Sequence, residues 1–208
     1  MLAPEVIFPF ILASVLLSIA PGPDNLFVLS QSALYGSRSG VLITLGLCTG
    51  LLAHTTAVAL GVAALLQSSP LAFDLLRYIG ALYLLYLAWL AFNAGTAQAT
   101  SQGSTLRTAG ALYRRGIIMN VTNPKVTIFF LAFLPQFVSP LNGSPGPQIV
   151  LLGLIFILVA LGVFSAIAIL AGRLSPWLTS SPRMQGLLSR ASGILFILLA
   201  LRLALPLD

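Results

Sequence analysis

Two charged residues stand where apolar sequence flanks them on both sides: Asp24, in Ala20-Pro21-Gly22-Pro23-Asp24-Asn25, and Lys125, in Asn120-Val121-Thr122-Asn123-Pro124-Lys125. An ionisable side chain inside a membrane costs about 2.5–3.5 kcal/mol on insertion scales, so it marks a functional position by default. One negative and one positive locus suit a zwitterion, with an α-ammonium on Asp24 and an α-carboxylate on Lys125. Asn25, Asn120 and Asn123 add groups that both donate and accept hydrogen bonds. Asn120 and Asn123 are three apart and are expected on one helix face. Two plainer readings compete with this one. The charges could pair with each other and only lock a bundle, and the asparagines could cap and repair broken backbone, a role that suits Asn123 best.

The neighbours of both charges are helix breakers. Pro21, Gly22 and Pro23 cannot continue a helix, and Asn123-Pro124 reads as an N-cap followed by proline at the first helical position. Each charge is therefore expected just after a break, near the middle of the membrane. A restarted half-helix presents free N–H groups and a positive dipole end, which attract anions. Aligning Pro23 with Pro124 sets Asp24 opposite Lys125. Interrupted segments at corresponding places in two halves are a sequence pointer to a transport site.

The elements that must hold these residues follow from composition. Of 208 residues, 58% are hydrophobic and 7% charged, against about 25% charged in a soluble domain. The mean hydropathy is +1.04. That excludes a typical soluble enzyme and a disordered chain. The expected class is an all-α integral membrane protein. A span needs about 20 apolar residues, and six stretches qualify: 6–34 with a break, 41–66, 75–92, 116–138, 149–171 and 187–205. The alternative is five spans with one stretch re-entrant. The polar stretch from Asn93 to Tyr113, rich in Gly, Ser, Thr, Ala and Gln, reads as a linker. It divides the chain into a three-helix repeat at 1–94, a cytoplasmic linker at 95–113 and a second three-helix repeat at 114–208. Three spans per half makes the halves inverted repeats, with the first and fourth spans broken.

Arginines set the orientation. Arg38, Arg107, Arg114, Arg115, Arg173, Arg183 and Arg190 fall on one side of a six-span chain, and Arg77 and Arg202 on the other. The positive-inside rule then puts both termini outside the cytoplasm. The N-terminus has no basic n-region and carries Glu5, unlike a cleaved signal peptide.

Other residues narrow the function. His54 lies midway along the second span, near Gly46 and Gly50 at the spacing that lets helices approach closely. It could relay protons to Asp24; the plainer reading is a neutral histidine hydrogen-bonded across a helix interface. Cys48 is the only cysteine, which excludes a disulfide, a CxxC pair and a thiolate metal cluster. A membrane thiol or electron carrier would need that missing pair. Tyr83, Tyr86 and Trp89, like Phe129, Phe130 and Phe133, read as packing and lipid-facing bulk. Gly36-Ser37-Arg38-Ser39-Gly40 has arginine where a hydrolase elbow needs serine. A channel or metal exporter would want more membrane carboxylates or histidines. The +6 charge sits on scattered arginines without interleaved aromatics, which does not suit nucleic acid. No cofactor or metal is expected.

PGPDN in the first span, NPK followed by FFLAFLPQFV in the fourth, and Tyr78-Ile79-Gly80-Ala81-Leu82-Tyr83-Leu84 in the third together resemble the LysE/RhtB superfamily of amino-acid exporters. The matching positions are Pro21, Gly22, Pro23, Asp24, Asn123, Pro124 and Lys125. The similarity runs over nearly the whole chain. The resemblance implies an exporter in the bacterial cytoplasmic membrane, driven by a proton or cation gradient, closer to homoserine, threonine or leucine exporters than to those for basic amino acids. The residues alone leave direction open, so uptake and exchange stand as alternatives, and a homodimer is compatible with them.

Overall fold

The computed structural model describes residues 4–68, 70–93, 108–173 and 182–205. Among these the chain is helical and contains no strand. The helices are α1 (Pro4–Ile19), α2 (Pro23–Tyr35), α3 (Ser37–Ser68), α4 (Pro70–Asn93), α5 (Ala109–Val121), α6 (Pro124–Ile128), α7 (Pro145–Arg173) and α8 (Pro182–Ala204). Both expected breaks are present. α1 and α2 meet at 59°, and α5 meets the segment Pro124–Phe137 at 50°. At the first break Pro21 and Pro23 lack an N–H, so the last carbonyls of α1 have no helical donor ahead of them. At the second, the side chain of Asn123 caps α6 by accepting from Lys125 N–H at 3.0 Å, and Pro124 takes the first helical position.

Among the described residues three helices are long and apolar enough to cross a membrane, Ser37–Gly61, Asp74–Asn93 and Pro145–Arg173, and counting each bent pair as one span gives up to five. α8 covers the sixth expected stretch. One boundary differs from expectation. Ala109–Tyr113, read as linker, form the first turns of α5, which Thr108 N-caps by accepting from Ala111 N–H at 3.3 Å. Linker residues 95–107 and the terminal residues lie outside the described residues.

Beyond α6 the chain widens into a π-helical turn, Phe129–Phe133, and then tightens to a 3-10 turn, Leu134–Phe137. Pro135 cannot donate to the carbonyl of Leu131, and its ring crowds that turn, so regular α geometry fails there. The turn delivers Phe129, Phe130 and Phe133 inward. All three are fully buried and pack with Phe10, Phe137 and Phe156 at ring distances of 4.9–6.3 Å. The lipid-facing part of their expectation is therefore corrected: they form the core. Tyr86 and Trp89, by contrast, are exposed on α4 and stack at 6.2 Å.

α3 is the central helix, packed on α5 and α7, while α4 packs on α8 and α2 lies against α3 and α7. In lipid there is no water to drive helices together, so close van der Waals approach must do it. Gly46 and Gly116 provide that approach. A Cβ on Gly46 would collide with the carbonyl of Tyr113, and one on Gly116 with the carbonyl of Ile43. Gly50 sits over Asn120, where a Cβ would come within 2.8 Å of the amide oxygen. This backbone-to-backbone crossing carries Asn120 to the middle of α3.

Candidate functional site

The two broken helices meet at their breaks. Asp24, at the start of α2, and Lys125, at the start of α6, are 3% and 8% exposed and line one cavity of ≈ 20 Å³. That is about the space of one water molecule. Asn25 and Asn120 line it too, with Ser18, Leu17, Leu51, Val126, Phe156 and Phe164.

Lys125 does not bond to Asp24. The one ion pair among the described residues is Arg77–Asp74 at 3.5 Å. The ammonium instead donates to the carbonyls of Leu17 at 3.1 Å and Ala20 at 2.9 Å. The reason is local: α1 ends in carbonyls whose following residues include prolines, and a helix C-terminus carries partial negative charge. The direct charge pair expected as the bland alternative is thus replaced by a lysine capping a half-helix. Gly22 makes room for it, since a Cβ there would lie 3.2 Å from Lys125 Nζ. Asn25 completes the same repair, its Nδ2 donating to Ser18 O at 2.6 Å.

Asp24 sits at the α1–α2 break and faces the other one. Asn123, Asn120, Lys125 and His54 surround its carboxyl. Asn120 and Asn123 do not share one helix, because the break falls between them, yet both face Asp24. Lys125 therefore serves the break of the opposite broken helix. Several buried polar atoms around the cavity have no hydrogen-bond partner: Asp24 Oδ1, Asn25 Oδ1, Asn120 Oδ1, Asn123 Nδ2 and Ser18 Oγ. Buried polar atoms are normally paired, and leaving one unpaired costs about 1–3 kcal/mol. Four of these five atoms belong to residues that line the cavity, and Asn123 stands beside them at the second break.

His54 is buried and its Nε2–H donates to Asn120 O at 3.1 Å, across the α3–α5 interface. Its ring packs on Phe130 at 5.6 Å. It thus makes the cross-interface bond of its plainer reading, one residue away from Asp24 through Asn120. Pro21, Gly22, Pro23 and Pro124 lie at the breaks as expected. Sequence reasoning missed the backbone carbonyls of Leu17 and Ala20, which carry no residue signature. It also missed Phe156 and Phe164, two phenylalanines within an apolar helix. Ser18 did carry a signal, as a hydroxyl shortly before a Pro-Gly-Pro break. No group of three or more His, Cys, Asp or Glu residues capable of holding a metal occurs among the described residues.

Residues 15–206 match the family described as LysE type translocator. The chain is 34% identical over 197 residues to a homoserine/homoserine lactone efflux protein of Salmonella typhimurium, covering 95% of each chain. It is 32% identical over 191 residues to an uncharacterized membrane protein of Vibrio cholerae, covering 90% of this chain and 91% of that one. It is 28% identical over 196 residues to a leucine efflux protein of Salmonella choleraesuis, covering 94% and 92%. No solved structure matches. With nearly its whole length matched, and with several apolar helices in its structure, this multi-pass membrane protein belongs to the LysE-type translocator family.

Proposed function

We propose that the protein is a secondary transporter that exports a neutral amino acid or close derivative across the bacterial cytoplasmic membrane. The observation that carries this reading is the convergence of Asp24 and Lys125, one from each broken helix, on one buried cavity ringed by unpartnered polar atoms. The export direction and the amino-acid class are supported by the efflux activities named for the relatives from Salmonella.

The substrate ammonium binds Asp24, and its carboxylate binds Lys125 and the N-terminus of α2 after Pro23, which no side chain caps. Asn25, Asn120 and Asn123 bond its remaining polar atoms. For this, Lys125 leaves the carbonyls of Leu17 and Ala20, and the walls of a ≈ 20 Å³ cavity move apart. Desolvation of both charges is offset without substrate by the α1 carbonyls and the asparagines, and with substrate by its two ends. Inverted halves, the first ending with α4 and the second beginning with α5, joined through a cytoplasmic linker, rock around the site, with six spans and both termini outside. Net export needs a coupled ion. The simplest is a proton taken up at Asp24 as substrate leaves and released on the cytoplasmic side, with His54 as the proposed relay.

The test is counterflow in proteoliposomes. Amino acids with free α-amine and α-carboxylate should compete. N-acetylated and C-amidated analogues should not. Equal competition by either analogue would mean the site does not read both charges, and Asp24 and Lys125 would then be structural.

A further inference from the structure

The cavity wall is chemically divided. Asp24, Lys125, Asn25, Asn120 and Ser18 supply the polar side chains, and the other side chains are apolar: Leu17, Leu51, Val126, Phe156 and Phe164. If the polar groups take the α-amine and α-carboxylate, the substrate's own side chain must lie against this apolar remainder. A charged side chain there would be desolvated with nothing to pair it.

Two of the apolar contributors come from one helix. Phe156 and Phe164 lie on the buried face of α7 with Ala160 between them, also buried. Eight residues of helix separate them by about 12 Å, so the two rings meet the cavity from two levels of α7. The rings are held differently. Phe156 is braced by Phe129 at 5.1 Å and Phe130 at 5.2 Å. Phe164 is buried but has no aromatic neighbour among the described residues. A ring packed on two aromatic neighbours is harder to displace than one with none.

Resting on the amino-acid export reading, we infer that Phe164 determines side-chain specificity by working against Phe156 as a fixed backstop. The accepted class is amino acids with uncharged, non-aromatic side chains. Displacing one ring makes room for an aliphatic chain, while an aromatic side chain would need the braced ring to move as well.

The test uses the full-length protein in proteoliposomes, with leucine counterflow and competition by phenylalanine, lysine and glutamate. In the wild type, lysine, glutamate and phenylalanine should compete poorly. Phe164→Ala should raise competition by phenylalanine relative to leucine by about tenfold or more, the scale on which a pocket distinguishes side-chain bulk. Phe164→Leu should fall between. Both competitors are read on the same preparation, so a partial folding defect cancels from the ratio. A ratio within about twofold of wild type in both active variants would overturn the inference and leave export intact. Lysine competing as well as leucine would also overturn it. A wild-type protein that exchanges no amino acid would instead overturn the export reading, and this inference with it.

Discussion

Asp24 and Lys125 are satisfied to different degrees. Lys125 holds two backbone carbonyls, whereas Asp24 keeps one carboxylate oxygen without a partner. Their mutants should therefore fail differently. Asp24→Asn keeps the shape and the surrounding amides, so it should abolish transport while leaving expression and melting temperature near wild type. Lys125→Ala should abolish transport and also destabilise, because the carbonyls of Leu17 and Ala20 lose their donor, each at about 1–3 kcal/mol. Counterflow and thermal melting in detergent read the two effects separately. Full activity in either mutant would remove that residue from the mechanism. His54→Gln can keep the bond to the Asn120 carbonyl but cannot carry a proton at neutral pH. It should retain exchange and lose gradient-driven efflux; unimpaired efflux would make His54 a packing residue only. The two charges were legible in the sequence because apolar runs isolate them. The bonds of Lys125 were not, because a free carbonyl at a helix end belongs to geometry and not to residue type.

The helix elements are held by close approach, and this can be tested with an internal control. Gly46→Leu and Gly116→Leu force side chains into backbone carbonyls across the α3–α5 crossing and should each destabilise by about 1–3 kcal/mol or more. Gly61→Leu, on the same helix as Gly46, meets nothing within 4 Å and should be neutral. Equal melting temperatures for all three would mean that the crossing does not hold the bundle. Pro-Gly-Pro and Asn-Pro announced both breaks, because proline removes a donor wherever it sits. The π turn at Phe129–Phe133 was not legible, since it arises from Pro135 acting backwards on residues that look regularly helical. The start of α5 was misread because Ala109-Gly110-Ala111 resembles linker, and the cap at Thr108 outweighs that composition.

For the whole molecule, two expectations separate architecture from energetics. Single cysteines at position 2 and at Ser101 should label from opposite sides of the membrane; labelling from one face would overturn the proposed six-span inverted arrangement. Collapsing a proton gradient with an ionophore should stop net efflux but leave exchange running, and unchanged efflux would exclude proton coupling. The lysine cap on α1 has another consequence, for synthesis. The carbonyls of Leu17 and Ala20 find their donor 108 and 105 residues later in the chain. At about 5–20 residues per second, the ribosome needs roughly 5–20 s to supply it. Over that interval the first half sits in the bilayer with an unfinished helix end, a natural target for membrane proteases. A chain terminated after α4 should be short-lived in cells, and its lifetime should lengthen when the second half is made alongside it as a separate polypeptide. The nascent protein thus becomes durable only when its last half arrives.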